Sequence, residues 1–131
     1  MREILFRGKS LKDNEWTEGY YCRYGWTGKE KDYIIPDYAS ALYGVEVESN
    51  TLGQFTGLTD KNGVKIFEGD IIQNVTEGKT AVVQWFSEHS AFLLWCKSEN
   101  QVYWLYDNDF HNIEVIGKIY DNPELIGGEE Q

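Results

Sequence analysis

Three side chains near the C-terminal end of the chain have the types and spacing of a divalent-metal site. Asp107, Asp109 and His111 recur at every second position, so on an extended segment they would lie on one side. Carboxylate oxygens bind hard divalent cations, and such a site could serve a small metal-dependent hydrolase. The same residues are typical of a turn, because Asp and Asn side chains hydrogen-bond their own backbone. We expect the turn, with no bound metal and no cofactor.

No other pattern supplies a complete set of catalytic groups. Gly78-Lys79-Thr80 resembles the end of a phosphate-binding loop, but Gln73 stands where the full motif requires a glycine, and a strand-like segment follows. Cys22 and Cys96 have no CxxC partner, so we expect reduced, partly buried thiols rather than a zinc site. The sequence therefore predicts no catalytic residues and a protein that is not an enzyme.

Aromatic residues are more frequent than in an ordinary small domain, at 15% of the chain. Five rings fall within eleven positions of the N-terminal part, beside an arginine. One short strand cannot bury so many rings on one face, and exposed aromatic and arginine side chains are typical of protein interfaces. We predict homo-oligomerisation through this segment. The interface candidates are Trp16, Tyr20, Tyr21, Arg23, Tyr24 and Trp26.

Charge divides the chain into two parts. The 131 residues carry 12 Lys and Arg against 22 Asp and Glu, a net charge of −10. Residues 1–33 hold seven basic and six acidic side chains, a net of +1, whereas residues 34–131 carry −11. This acidity argues against a protein that grips a phosphate backbone. It suits a basic or proline-rich protein partner, since proline-rich peptides dock in aromatic grooves.

Nucleic-acid binding has one feature in its favour. Trp85, Trp95 and Trp104 fall on three successive predicted strands and could stack across a sheet. Tryptophan rings are stacking platforms for single-stranded bases. Single-strand binding is therefore the alternative function, against which the charge of residues 34–131 counts.

Neither a leader nor a membrane span is predicted. The apolar run Ile4–Phe6 is too short for the core of a signal peptide. The longest apolar run, Ala91–Cys96, is far below the length of a membrane span. We expect a cytoplasmic protein without membrane contact.

The elements that position these side chains are short strands about ten residues apart with turn signals between them, the pattern of a small barrel or sandwich. We predict a mainly β protein: a small SH3-like or related β-barrel, an N-terminal β-rich arm, and a short C-terminal helical turn near Asn122–Glu124. The predicted parts of this single domain are residues 1–52 for the arm, 53–126 for the barrel-like body and 127–131 for a frayed tail. The predicted strands are Arg2–Gly8, Trp16–Tyr24, Tyr33–Ile35, Tyr43–Val47, Gly53–Leu58, Val64–Phe67, Asp70–Val75, Thr80–Phe86, Ala91–Cys96, Gln101–Leu105 and Ile113–Tyr120.

Three stretches carry a family resemblance. GQFTGLTDKNGVKIFEGDII (Gly53–Ile72) resembles the signature of the YopX family of phage and prophage proteins. MREILFRGKSLKDNEWTEGYY (Met1–Tyr21) and IEVIGKIYDNPELI (Ile113–Ile126) are similar to the family's opening and close. The resemblance implies a small, mostly β protein encoded by a phage or prophage and acting in the host cytoplasm. It implies no activity, because the family provides no catalytic residues to carry over.

The residues of the signature point to structure rather than to a reaction. Its glycines mark backbone corners, and Asp60-Lys61-Asn62-Gly63 predicts a tight hairpin turn with Gly63 at positive φ. The function predicted from the sequence is therefore that of a non-enzymatic interaction protein that self-associates and binds a protein partner.

Overall fold

The computed structural model of the protein describes residues 3–36, 43–105 and 112–126. Within these ranges eleven short segments form β-strands, and every predicted strand has a counterpart. The strands are β1 (Phe6–Lys9), β2 (Trp16–Tyr24), β3 (Lys31–Pro36), β4 (Val45–Glu46), β5 (Gly53–Thr59), β6 (Lys65–Phe67), β7 (Asp70–Asn74), β8 (Thr80–Phe86), β9 (Ala91–Cys96), β10 (Gln101–Trp104) and β11 (Ile113–Lys118).

Helical structure is minor in the described ranges. They contain the 3₁₀ turns Ser49–Thr51 and Pro123–Ile126 and no α-helix. The second turn confirms the predicted C-terminal helical turn. No helix in the described part of the chain has the length and apolar character needed to cross a membrane. The predicted tail, residues 127–131, lies outside the described residues.

The chain divides into two compact units, residues 1–55 and residues 56–131. The predicted boundary after residue 52 lies three residues before this division. Gly53 and Gln54, at the start of β5, pair with β1 within the first unit. Each unit is best understood from its own strands.

In the first unit β1, β2 and β3 form consecutive antiparallel pairs, and the two-residue β4 lies against β3. The β2–β3 hairpin sets Gly19 opposite Pro36 and Tyr24 opposite Lys31. The two backbones approach so closely that a Cβ on Gly19 would lie 2.1 Å from the carbonyl oxygen of Ile35. Only glycine fits at this position of β2.

The second unit contains a five-stranded sheet in the order β10-β9-β8-β7-β11. Its core consists of eight buried residues, against which Leu58, Phe92, Tyr103 and Val115 pack. The core residues are Ile66, Ile72, Ala81, Val83, Leu94, Cys96, Leu105 and Ile113. Alternate side chains on the other face of the same strands, Ile71, Val82 and Leu93, are also buried.

The hairpin turn of the signature is confirmed. The Asp60 carboxylate accepts the backbone N–H groups of Asn62 at 2.8 Å and Val64 at 2.9 Å, and Gly63 has a φ of 82°. The second carboxylate oxygen of Asp60 accepts the N–H of Val115 on β11 at 2.9 Å. Burial raises the pKa of Asp60, but these three backbone donors outweigh it, so the pKa stays below its ordinary value.

The mainly β class is confirmed, whereas the closed barrel is wrong. A barrel requires the first and last strands of a sheet to pair. Among the described residues β10 and β11 end the sheet on opposite sides and do not pair with each other. Both faces of this sheet nevertheless carry buried residues, which explains why its strands have the composition of a barrel wall.

Candidate functional site

One outer face of the β2–β3 hairpin is rich in tyrosine. The register sets Tyr20 opposite Ile35, and Cys22 opposite Tyr33. Because alternate side chains of a strand point to the same side, these residues share one face with Tyr24. Tyr43 lies beside them, since it lines one groove with Tyr33 and a Cβ on the next residue, Gly44, would lie 3.6 Å from the side chain of Tyr33. We define the tyrosine face as Tyr20, Cys22, Tyr24, Tyr33, Ile35 and Tyr43.

The rings of the tyrosine face are largely exposed. The exposed fraction is 58% for Tyr20, 71% for Tyr24 and 68% for Tyr43, and in the β2–β3 loop Trp26 is 85% exposed. Tyr24 and Tyr33 form an edge-to-face pair with ring centroids 6.4 Å apart. Contiguous exposed aromatic surface marks interaction sites on proteins, so this face is the candidate functional site.

A surface groove of about 580 Å³ continues the tyrosine face at its edge. One wall is Ser10–Lys12, the other is Tyr43–Glu46, and Tyr33 contributes to the lining. The Leu11 N–H donates to the carbonyl oxygen of Glu46 at 3.0 Å, which holds the two walls together. The face thus combines projecting rings with a recess.

A buried carboxylate on the opposite side of the hairpin fixes which rings are exposed. Asp32 is only 3% exposed and accepts hydrogen bonds from the Tyr21 hydroxyl at 2.6 Å and from Arg23 Nη1 at 2.9 Å. Its other oxygen accepts the Ser49 hydroxyl. Because side chains alternate along β2, anchoring Tyr21 and Arg23 to Asp32 turns Tyr20 and Tyr24 to the outer face.

The hydrogen bonds that Tyr21, Arg23 and Ser49 donate to Asp32 keep this carboxylate ionised, as in a structural cluster. Hydrogen bonds from Ser49 and then from Tyr21 lower the pKa of Asp32, with Arg23 adding to the effect against the cost of burial. The bond to Asp32 raises the pKa of Tyr21. A carboxylate that stays ionised and accepts three donors is a weak base at neutral pH.

The six predicted interface residues do not form one patch. Tyr20, Tyr24 and Trp26 are exposed, whereas Tyr21 and Arg23 are bound to Asp32 on the other side of the strand. Trp16 is half-buried beneath two cations, with the Arg7 guanidinium 5.0 Å and the Lys9 ammonium 5.7 Å from the ring centroid.

Four members of the face were not among the predicted interface residues: the rings of Tyr33 and Tyr43, and the side chains of Cys22 and Ile35. The signal that could have found Tyr33 is its alternation with Ile35, and for Tyr43 it is the alternation with Val45. Joining either residue to Tyr20 and Tyr24 requires the pairing register of β2 with β3, which composition alone does not provide.

A second polar cluster lies in the second unit and involves the residue of the phosphate-loop-like motif. Lys79 Nζ is 3.2 Å from Glu99 and 3.8 Å from Glu77, and it stands 5.0 Å above the ring of Tyr103. The Tyr103 hydroxyl donates to Glu99, and this bond, followed by Lys79, lowers the pKa of Glu99. Gly78 has a φ of 76°, as a hairpin turn requires. The motif is therefore a hairpin turn rather than a phosphate-binding loop, and carboxylates hold its lysine.

The three tryptophans predicted to stack do not lie on one face, so that prediction is wrong. Trp85 pairs with Phe92, edge to face at 5.0 Å, on the face that holds the core. Trp95 lies opposite Val82 and Val102 on the other face, which Trp104 shares. The register of the β8–β9 hairpin, Phe86 opposite Ala91, separates Trp85 from the other two.

Metal and thiol chemistry has little support in the described ranges. Asp107, Asp109 and His111 lie outside the described residues, and the remainder contains no cluster of three His, Cys, Asp or Glu side chains fit to hold a metal ion. Both cysteines are free, as predicted, with Cys22 half-buried in the tyrosine face and Cys96 buried in the core.

Comparison with known proteins identifies relatives by family and fold. The family model described as YopX protein matches residues 5–127. Among solved structures, the chain is similar to the crystal structure of protein EF1440 from Enterococcus faecalis, with 24% sequence identity and a TM-score of 0.56. That likeness covers 96% of this chain and 99% of that chain, and it shows the fold. No curated protein matches the chain.

Proposed function

The chain belongs to the YopX family, and from that premise we propose that it is a non-enzymatic interaction protein of a phage or prophage. It acts in the host cytoplasm by binding protein, and its interface is the tyrosine face. The observation that carries the proposal is the exposure of Tyr20, Tyr24 and Tyr43, each more than half accessible, beside a groove.

Tyrosine suits this role for a physical reason. Its ring supplies a large contact area with only two rotatable side-chain bonds, so binding immobilises little conformational freedom. Its hydroxyl group tolerates water before the partner arrives. A cluster of such rings held on a rigid hairpin by the hydrogen bonds to Asp32 loses little entropy on association.

Enzymatic and nucleic-acid functions have weaker support. The carboxylates of Asp32 and Glu99 accept hydrogen bonds that lower their pKa values, so both groups stay ionised. Trp85 and Trp104 are exposed but lie on opposite faces of their sheet. A strand of bases could not stack on both in one pass.

Site-specific photo-crosslinking tests the proposal. p-Benzoylphenylalanine replaces Tyr24 in the full chain, which is expressed in host cells and irradiated. The matched control carries the same group at Tyr120, which is 41% exposed in the second unit. We expect a protein adduct at position 24, identified by mass spectrometry, and none at position 120. Absence of an adduct at position 24, or equal yields at both positions, contradicts the proposal.

A further inference from the structure

We infer that the occupant of the tyrosine face is a second copy of this chain, bound in a two-fold arrangement. The inference rests on the proposed function, and it names the partner of that site. Three features of the face carry it: its area, its mixture of charges, and its combination of projecting rings with a recess.

The exposed rings of the face supply about half of the area that a stable dimer requires. Aromatic side chains present about 200 Å² each, and Tyr20, Tyr24 and Tyr43 are 58%, 71% and 68% exposed. Together these three rings offer about 400 Å² per copy, against about 800 Å² per partner in a standard interface. The half-exposed Leu11 on the groove wall adds apolar area.

The charges around the face favour a copy of itself over a basic partner. A two-fold interface sets each patch against its own copy, so a patch with one dominant sign repels itself. The ionisable residues that border the face and groove are of both signs: Arg7, Lys9, Lys12 and Lys31 lie there with Glu18 and Glu46. Lys31 and Glu46 also approach each other to 3.9 Å. A basic partner would gain from an acidic patch, and this mixed set does not form one.

The shape of the face is suited to self-association. In an isologous interface each copy must offer both the projecting part and the recess that receives it. The exposed tyrosine rings project beside the groove of about 580 Å³ that Tyr33 and Tyr43 help to line. In a two-fold dimer, a projecting ring of each copy would meet the groove of the other.

Sedimentation velocity over a range of protein concentration tests the inference. The chain has a mass of 15.2 kDa, and we expect a species of twice that mass in the wild type. The double variant Tyr20→Ser/Tyr24→Ser should weaken the dimer at least tenfold, and the control Tyr120→Ser should leave it unchanged. Circular dichroism and urea unfolding establish that each variant is folded. A wild type that is monomeric throughout, or a dimer that the folded double variant leaves intact, overturns the inference.

Cys22 provides a second readout that needs no tyrosine substitution. It lies between Tyr20 and Tyr24 on the face and opposite Tyr33, so the dimer should slow its alkylation by a maleimide as protein concentration rises. Buried Cys96 is the internal reference. An alkylation rate of Cys22 that is independent of concentration counts against the inference. If no dimer forms but position 24 still crosslinks to a different protein, the inference fails while the proposed function stands.

Discussion

Replacing the buried carboxylate of Asp32 by an amide should destabilise the first unit strongly. Asp32→Asn keeps the shape of the side chain but removes its charge and one of its two acceptor oxygens. The Tyr21 and Ser49 hydroxyls donate to different oxygens of Asp32, so one of them must then face an NH₂ group. The variant therefore loses a hydrogen bond to a charged acceptor, and the NH₂ group can only donate to the hydroxyl that it faces.

The magnitude follows from the loss of charge and of one acceptor. A hydrogen bond to a charged group contributes about 1.5–3 kcal/mol. Ser49 is exposed, so water can satisfy its hydroxyl. Arg23 adds little, because its side chain is 55% exposed and water screens the ion pair. We expect Asp32→Asn to lower the free energy of unfolding by about 2 kcal/mol at neutral pH.

Urea unfolding followed by tryptophan fluorescence measures this loss, since Trp16 and Trp26 both lie in the first unit. The matched control is Glu18→Gln, a carboxylate-to-amide change at an exposed position of the neighbouring strand β2. A variant within about 0.5 kcal/mol of the wild type, or one no less stable than the control, would refute the structural role of Asp32.

Three further predictions concern the same elements. Because the pKa of folded Asp32 is lowered, its stabilising effect is present above the ordinary Asp pKa of about 3.9. The effect is lost as pH falls through the lower folded value, so the stability gap between wild type and Asp32→Asn should shrink in urea titrations below pH 4. Gly19→Ala places a Cβ 2.1 Å from the Ile35 carbonyl oxygen and should cost about 3 kcal/mol or more. Its control, Gly44→Ala, meets only ordinary contacts at 3.6 Å and should be near neutral by the same assay. Asp60→Ala leaves three backbone N–H groups without their acceptor and should lower the urea midpoint by the equivalent of about 3 kcal/mol; an unchanged midpoint would contradict the role of this turn.

Local alternation and turn chemistry were sufficient to predict most strands. The bounds of β2, β8 and β9 agree with the prediction to the residue, because each is a run of bulky residues ended by polar turn residues. β3 begins two residues earlier than predicted, at Lys31. Its first residues are polar, and they are extended because they pair with Arg23 and Tyr24 across the hairpin. Pairing of this kind is not visible in a single strand.

Faces and closure depend on register, which is where prediction from the sequence fell short. The β8–β9 hairpin pairs odd-numbered residues with even-numbered ones, so Trp85 and Trp95 necessarily point to opposite sides. The four-residue turn Ser87–Ser90 sets this pairing, with Phe86 opposite Ala91. The spacing of the tryptophans alone does not specify it. Closure of the barrel would require β10 to pair with β11, and these strands lie at opposite ends of the order of the sheet. No local pattern specifies it.

The same alternation links the stability of the hairpin to its proposed interface. Tyr21 and Arg23 hold Asp32 on one side of β2, and Tyr20 and Tyr24 are exposed on the other because of it. A change at Asp32 that loosens this side frees β2 to shift, and a shift by one residue would exchange the two sets of side chains. Asp32→Asn should therefore weaken both folding and self-association. Substitution of Tyr20 and Tyr24 should weaken association alone, since these exposed rings contribute little to the folded monomer. The two kinds of variant thus distinguish residues that stabilise the hairpin from residues that contact the partner copy.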